Sequence, residues 1–161
     1  MEAGSMKLTT ASWLKITAVV LFGLWFGLCN FRIWQADKFV DELCAKDGGI
    51  KVYQTVTLPK ERFNQWGQFR VLDKRVMNSN DEYYSVWEMT NIQGRQELHG
   101  NALAIYQEHF TIYRVIDKKI LGEAIIYVRR GGDAIGLDMS SSYSCPDVSD
   151  IELSKQIFKI K

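Results

Sequence analysis

Four side chains of the types that acid/base chemistry needs lie in strand-forming runs. Glu88 sits in Val86-Trp-Glu-Met89, Glu108 and His109 adjoin in Leu103 to Ile116, and Glu123 sits in Leu121-Gly-Glu-Ala124. If those strands are neighbours, the carboxylates and the imidazole can converge on one face. That would make a general acid/base group or a cation site. The opposing expectation is that strand alternation places charged residues on the solvent face by default. Zinc chemistry has no support, because His99 and His109 lack a second ligand at H-x-x-x-H or H-E-x-x-H spacing. No serine occupies a Gly-x-Ser-x-Gly elbow. Gly131-Gly132-Asp-Ala-Ile-Gly136 lacks the lysine of a P-loop and the spacing of a dinucleotide fingerprint, so it reads as a turn. Cys44 and Cys145 would be nucleophiles only if unbridged and beside a histidine. No catalytic residue, cofactor or metal ligand is therefore assigned.

Aromatic side chains crowd the same strands: Tyr83, Tyr84, Trp87, Tyr106, Tyr113 and Tyr127. Tyrosine and tryptophan anchor protein interfaces, and they equally form cross-strand pairs within sheets. Formal net charge is +1, which offers no basic field for nucleic acid. The expected partners are a membrane and a protein of the envelope, with no nucleic acid.

The elements that hold these groups follow from pattern. Ile50 to Leu58 alternates Ile50, Val52, Val56 and Leu58 with Lys51, Tyr53, Thr55 and Thr57, the signature of one half-buried strand. Pro59 opens a short helix over Lys60 to Trp66, with Gly67 as its stop. Phe69 to Leu72 is a short strand candidate. Tyr83 to Ile92, Leu103 to Ile116 and Ile120 to Arg129 read as strands, the last two joined as a hairpin through Asp117-Lys-Lys119. Ser140 to Pro146 reads as irregular. Ser149-Asp-Ile-Glu152 has the form of a capping box and starts a short C-terminal helix that groups Ile151, Ile157 and Phe158. Ile157 to Lys161 also has the composition of a strand.

All of this follows a long apolar run. Leu14 to Ile33 carries only Lys15 and Arg32 as charges, and Trp13 and Trp34 bracket it. On a helix those tryptophans stand about 31 Å apart, close to the roughly 30 Å hydrocarbon core of a bilayer. Trp13 and Trp34 fit interfacial belts, and Lys15 and Arg32 can snorkel to the headgroups. A signal peptide would need a small-residue exit that Gly27-Leu-Cys29 does not supply. A lipoprotein would need a small residue before Cys29, where Leu28 stands. A soluble buried helix is seldom apolar all round for this length. The expectation is an uncleaved anchor over residues 12–33, a tail over 1–11, and one α+β domain over 34–161. Met6 is a second candidate start. The short tail places the N-terminus inside and the domain outside the cytoplasm.

Past the span, Ala36, Phe39, Val40, Leu43 and Cys44 keep a three-to-four spacing opposite Asp37, Lys38, Asp41 and Glu42. The helix is expected to continue as an amphipathic half that lies on the domain and ends at Asp47-Gly-Gly49. The architecture is thus a transmembrane helix running into an amphipathic one, an antiparallel meander sheet and a short C-terminal helix. Cys44 and Cys145 allow one bridge closing about 100 residues, worth up to ~4.7 kcal/mol in a chain-entropy account. Two buried free thiols are the other reading, and an oxidising compartment decides between them.

Leu43-Cys-Ala-Lys-Asp-Gly-Gly-Ile-Lys-Val-Tyr53 together with Ser144-Cys-Pro146 resembles small uncharacterised bacterial envelope proteins with lipoprotein-type leaders. The resemblance implies export and a Cys44–Cys145 pair, and no activity. The expected function is a domain anchored in the bacterial inner membrane, facing the periplasm, that binds a protein or an envelope component. An immunity or exclusion factor is one form of this. The alternative is an anchored hydrolase using Glu88, Glu108, His109 and Glu123. A third reading is a structural component that self-associates.

Overall fold

A helix that begins in apolar sequence and ends in amphipathic sequence must find two different environments. The computed structural model describes residues 10–94, 102–133 and 141–161, and shows α1 over Thr10–Asp47, 38 residues. Its apolar part is not covered by protein: Trp13, Leu24 and Trp34 are all more than half exposed. Its second half buries Ala36 and Val40, with Phe39, Leu43 and Cys44 half-buried beside them. Gly49, at φ +116°, turns the chain out of the helix into β1, Gly49–Val52.

The fold is α+β. β2 spans Val56–Leu58, β3 Leu72–Asp73, β4 Tyr83–Gly94, β5 Ala104–Arg114, β6 Ile120–Arg130 and β7 Ser142–Cys145. α2 spans Asp150–Ile157 and β8 Phe158–Ile160. β4, β5 and β6 form the antiparallel meander. β1 and β7 both pair the far edge of β6, one along each half, and β3 pairs the start of β4 in parallel. β2 and β8 make a separate parallel pair.

Four local expectations change. Ile50 to Leu58 is two strands in two sheets, because Tyr53 and Gln54 both donate their N–H to Leu121 O, at 2.9 and 3.0 Å, and the chain then leaves β6 for β8. Lys60 to Trp66 shrinks to one 3₁₀ turn, Lys60–Arg62. The Asn64 side-chain oxygen takes the N–H groups of Trp66 and Gln68, which a continued helix would need. The strand after Phe69 starts only at Leu72, because Phe69 enters the core instead, edge-on to Tyr83. Ser142–Cys145 is strand, since β6 runs past β1 and leaves backbone groups for β7 to satisfy.

Helices cover opposite faces of the sheet. Ala36 and Val40 of α1 lie on Ile105, Ile125 and Tyr127. On the other face Leu153 and Ile157 of α2, with Phe158, Leu58 and Phe69, lie on Ile112, Leu121 and Ala124. A register shift at Ile112/Tyr113 marks a bulge that brings Leu121 into this second core. The Ser149 hydroxyl caps α2 by accepting from Glu152 N at 3.2 Å. The buried face of α2 is Leu153, Ser154 and Ile157, while Ile151 is exposed, because i and i+4 share a helix face.

α1 and β6 run antiparallel to each other. Arg129 Nε donates to Asp37 Oδ1 at 2.6 Å, Tyr127 OH to Asp47 Oδ1 at 2.7 Å, and Tyr143 OH to Asp41 Oδ1 at 2.6 Å. Cys44 and Cys145 are disulfide-bonded in the same seam, 101 residues apart in sequence. Three acids of one helix face are thereby each held by a donor from β6 or β7. The strands consequently stand along the helix, with the β5–β6 turn at the end away from the span.

Candidate functional site

Strand pairing places Lys51, Glu123, Thr111 and His109 on one face, because Lys51 opposes Glu123, Glu123 opposes Thr111, and His109 follows two residues before Thr111. This is the same face that α1 covers further along, beyond the end of the helix. Glu123 is the centre. Its Oε2 lies 2.9 Å from His109 Nε2, its Oε1 accepts from Tyr53 OH at 2.5 Å, and Lys51 Nζ is 3.8 Å away. The Tyr53 hydroxyl bond, the His109 bond and the charges of His109 and Lys51 hold the Glu123 carboxyl below its ordinary value, against the opposing effect of burial. In return Tyr53 is pushed up, first by its bond to Glu123.

The four sequence candidates separate. His109 and Glu123 touch. Glu88 opposes His109 on β4 and shares their face, but its side chain is exposed. Glu108 points to the opposite face, where Arg130 donates to it at 3.0 Å. Thr111 Oγ1 is 3.3 Å from the same His109 Nε2 that meets Glu123. A relay of the serine-hydrolase kind needs acid and hydroxyl on different ring nitrogens, and here they share one. While Nε2–H donates to Glu123, that nitrogen has no lone pair for the Thr111 proton. Among the described residues no group of three or more His, Cys, Asp or Glu is placed to hold a metal ion. His99 lies outside the described residues.

Lys51, Tyr53 and Thr111 were missed by sequence reasoning. Lys51 and Tyr53 do share the polar side of their strand in the alternation, but their pairing with β6 is a long-range contact with no local mark.

Of the six aromatics, Tyr83, Tyr84, Tyr106 and Tyr127 are buried and Tyr113 is half-buried, while Trp87 remains 43% exposed. Tyr84 stacks on Tyr113 and Trp87 on Phe110, so cross-strand pairing claims most of them. Trp87 and Met89 lie on the outer strand of the meander, and both are exposed. β3 pairs only Tyr84 and Ser85, so Val86 to Gly94 has no strand on its outer side among the described residues. A cleft of about 480 Å³ lies beside β3 and Ser85, lined by Phe110 and Ile112 of β5 and by Ile151 and Leu153 of α2.

Trp13, Lys15, Arg32 and Trp34 all lie on α1. Phe31 stacks on Trp34, and the Lys38 ammonium sits 5.8 Å from the Trp34 ring centroid. One helix near the N-terminus is long and apolar enough to cross a membrane.

No protein-family model matches the chain, and no curated protein and no solved structure matches it either.

Proposed function

We propose that the chain is a single-pass protein of a bacterial inner membrane whose domain, residues 34–161, faces the periplasm and binds an extended segment of another envelope protein. The uncovered apolar half of α1, rigidly continued into the domain by its clamped second half, supports the anchor. The Cys44–Cys145 disulfide fits an oxidising compartment.

One observation carries the binding role. Among the described residues the outer side of β4 from Val86 to Gly94 has no pairing strand; it bears Glu88 as its one charge and exposes Trp87 and Met89. Natural edge strands are usually blunted by lysine, proline or brevity. An edge without those devices is a template for strand addition, with main-chain hydrogen bonds giving affinity and alternate side chains giving specificity. Antiparallel pairing of two copies of β4 requires a two-fold axis normal to the sheet. With the strands standing along α1, that axis would send the two anchors in opposite directions, which one bilayer does not accommodate.

The test is a photo-crosslinking side chain at position 89 in intact cells, with a periplasm-dependent reporter fused after Lys161. A discrete crosslinked protein from position 89, absent for the same group at position 118, supports the reading. No adduct, or a reporter active only in the cytoplasm, refutes it. The second reading, an anchored hydrolase, draws on the 2.9 Å Glu123–His109 contact and requires a turnover that H109Q abolishes.

A further inference from the structure

The clamp between α1 and β6 has a consequence for the end of the domain next to the span. Ile33, the last apolar residue before Trp34, meets the domain there. A Cβ built on Gly132 would lie 3.4 Å from Ile33 Cγ1 and 2.7 Å from Leu103 Cδ1, so the chain approaches the helix closely and uses glycine, at φ +96°, to do so. Beside this contact a groove of about 320 Å³ opens between α1 and the ends of β4 and β5. Ala36, Phe39 and Leu103 form its apolar floor, and Arg32, Gln35 and Gln93 its polar rim. Arg32, Gln35 and Gln93 are exposed, and their side chains make no hydrogen bond or ion pair among the described residues.

We propose that this groove is a phospholipid site, taking one lipid of the bilayer that holds the anchor. The proposal rests on the anchor reading of α1. Three features of the groove match one such molecule. Arg32 and Trp34 mark the depth at which a helix leaves hydrocarbon, so the phosphate layer lies at the level of the groove. The Arg32 guanidinium is a fork of donors suited to a phosphate, and the Gln35 and Gln93 amides add donors across the opening. Leu103, packed at Gly132 beside Ile33, is the membrane-side part of the floor and meets the glycerol backbone and the first methylenes, while Ala36 and Phe39 lie further out, beneath the headgroup. A soluble phosphate would satisfy the rim and leave the floor in water, so the shape favours a lipid. The bound lipid would fill the gap between span and domain and hold the strands upright on the bilayer.

The experiment uses the full chain, with Cys29 changed to serine, in nanodiscs of phosphatidylcholine and phosphatidylglycerol. A fluorophore is attached through I92C, an exposed neighbour of Gln93 outside the groove lining, or through K118C or L21C. Quenching by headgroup-labelled and acyl-labelled phosphatidylcholine is compared. The expected result is strong acyl quenching at 21, several-fold stronger headgroup quenching at 92 than at 118, and a loss of at least half of the quenching at 92 in R32Q and in Q93A. Quenching at 21 with position 92 no different from 118 overturns the lipid site and leaves the anchor standing. Unchanged quenching at 92 in both variants also overturns it, since the groove then lies near lipid without binding it. Absence of acyl quenching at 21 overturns the anchor reading and the site with it.

Discussion

The Tyr127 hydroxyl donates to Asp47 Oδ1 at 2.7 Å while accepting from Gln107 Nε2 at 2.9 Å, tying the last turn of α1 to two central strands. Burial and the Asp47 carboxylate push this phenol up to about 12 from an ordinary 10.0. A raised acid of this kind stabilises the fold fully below its unfolded value. It loses that contribution as pH rises from about 10 through about 12. Alkaline unfolding of the full chain in detergent should therefore show a loss on the order of 2 kcal/mol across that window. Y127F should be less stable at neutral pH and show less of this added alkaline loss. Parallel curves for the two proteins would refute the assignment.

Arg129 should be the residue of the seam least tolerant of change. Its side chain is 4% exposed, and besides Asp37 its Nη1 donates to Gly131 O, Ser141 O and Ser141 Oγ. R129M removes the guanidinium donor from Asp37, Gly131 O and Ser141 Oγ, while Ser141 O keeps the Gly131 N–H, at about 3 kcal/mol. R129K should not rescue, because an ammonium lacks the planar fork that serves partners on both sides. The denaturant midpoints of the three proteins decide this; an R129K midpoint equal to that of the parent sinks it.

Removing the disulfide should cost about 2–5 kcal/mol, since it closes a long loop and joins α1 to the edge of the sheet. The comparison is the C44S/C145S double variant against the oxidised parent, and the reduced parent should match the variant. If reduction leaves the midpoint unmoved, the bridge contributes nothing to the folded state.

Gly122 is where α2 sits down on β6. A Cβ there would be 2.9 Å from Ile157 Cδ1 and 2.9 Å from the backbone oxygen of Lys51. The isoleucine can move but the paired strand cannot, so G122A should cost about 1–3 kcal/mol by overpacking. A melting temperature equal to that of the parent would show that β1 gives way freely.

Trp87 is 43% exposed and stacks on Phe110 across the strands, so W87K should cost about 1 kcal/mol and leave the fold intact. The same change places a lysine on an open strand edge, the usual guard against strand addition. The crosslink from position 89 should disappear while the fold persists. An undiminished crosslink would remove the β4 edge from the binding surface.

What the chain determined alone is what repeats locally. Apolar length with tryptophan at both ends, the three-to-four spacing from Ala36 to Cys44, the alternation in the meander strands and the serine cap at 149 each arise from neighbours in sequence. A helix or a strand is built from such neighbours. What tertiary structure decided is which edges meet. One alternating run became β1 and β2 in separate sheets, and a stretch expected to be irregular became β7, because β6 offered two lengths of open edge. Every residue but proline brings the same backbone donor and acceptor, so side-chain pattern does not name the strand that will use them. Glu123 shows the result: its place in a strand was readable, while Tyr53, 70 residues away, met it only once β1 and β6 had paired.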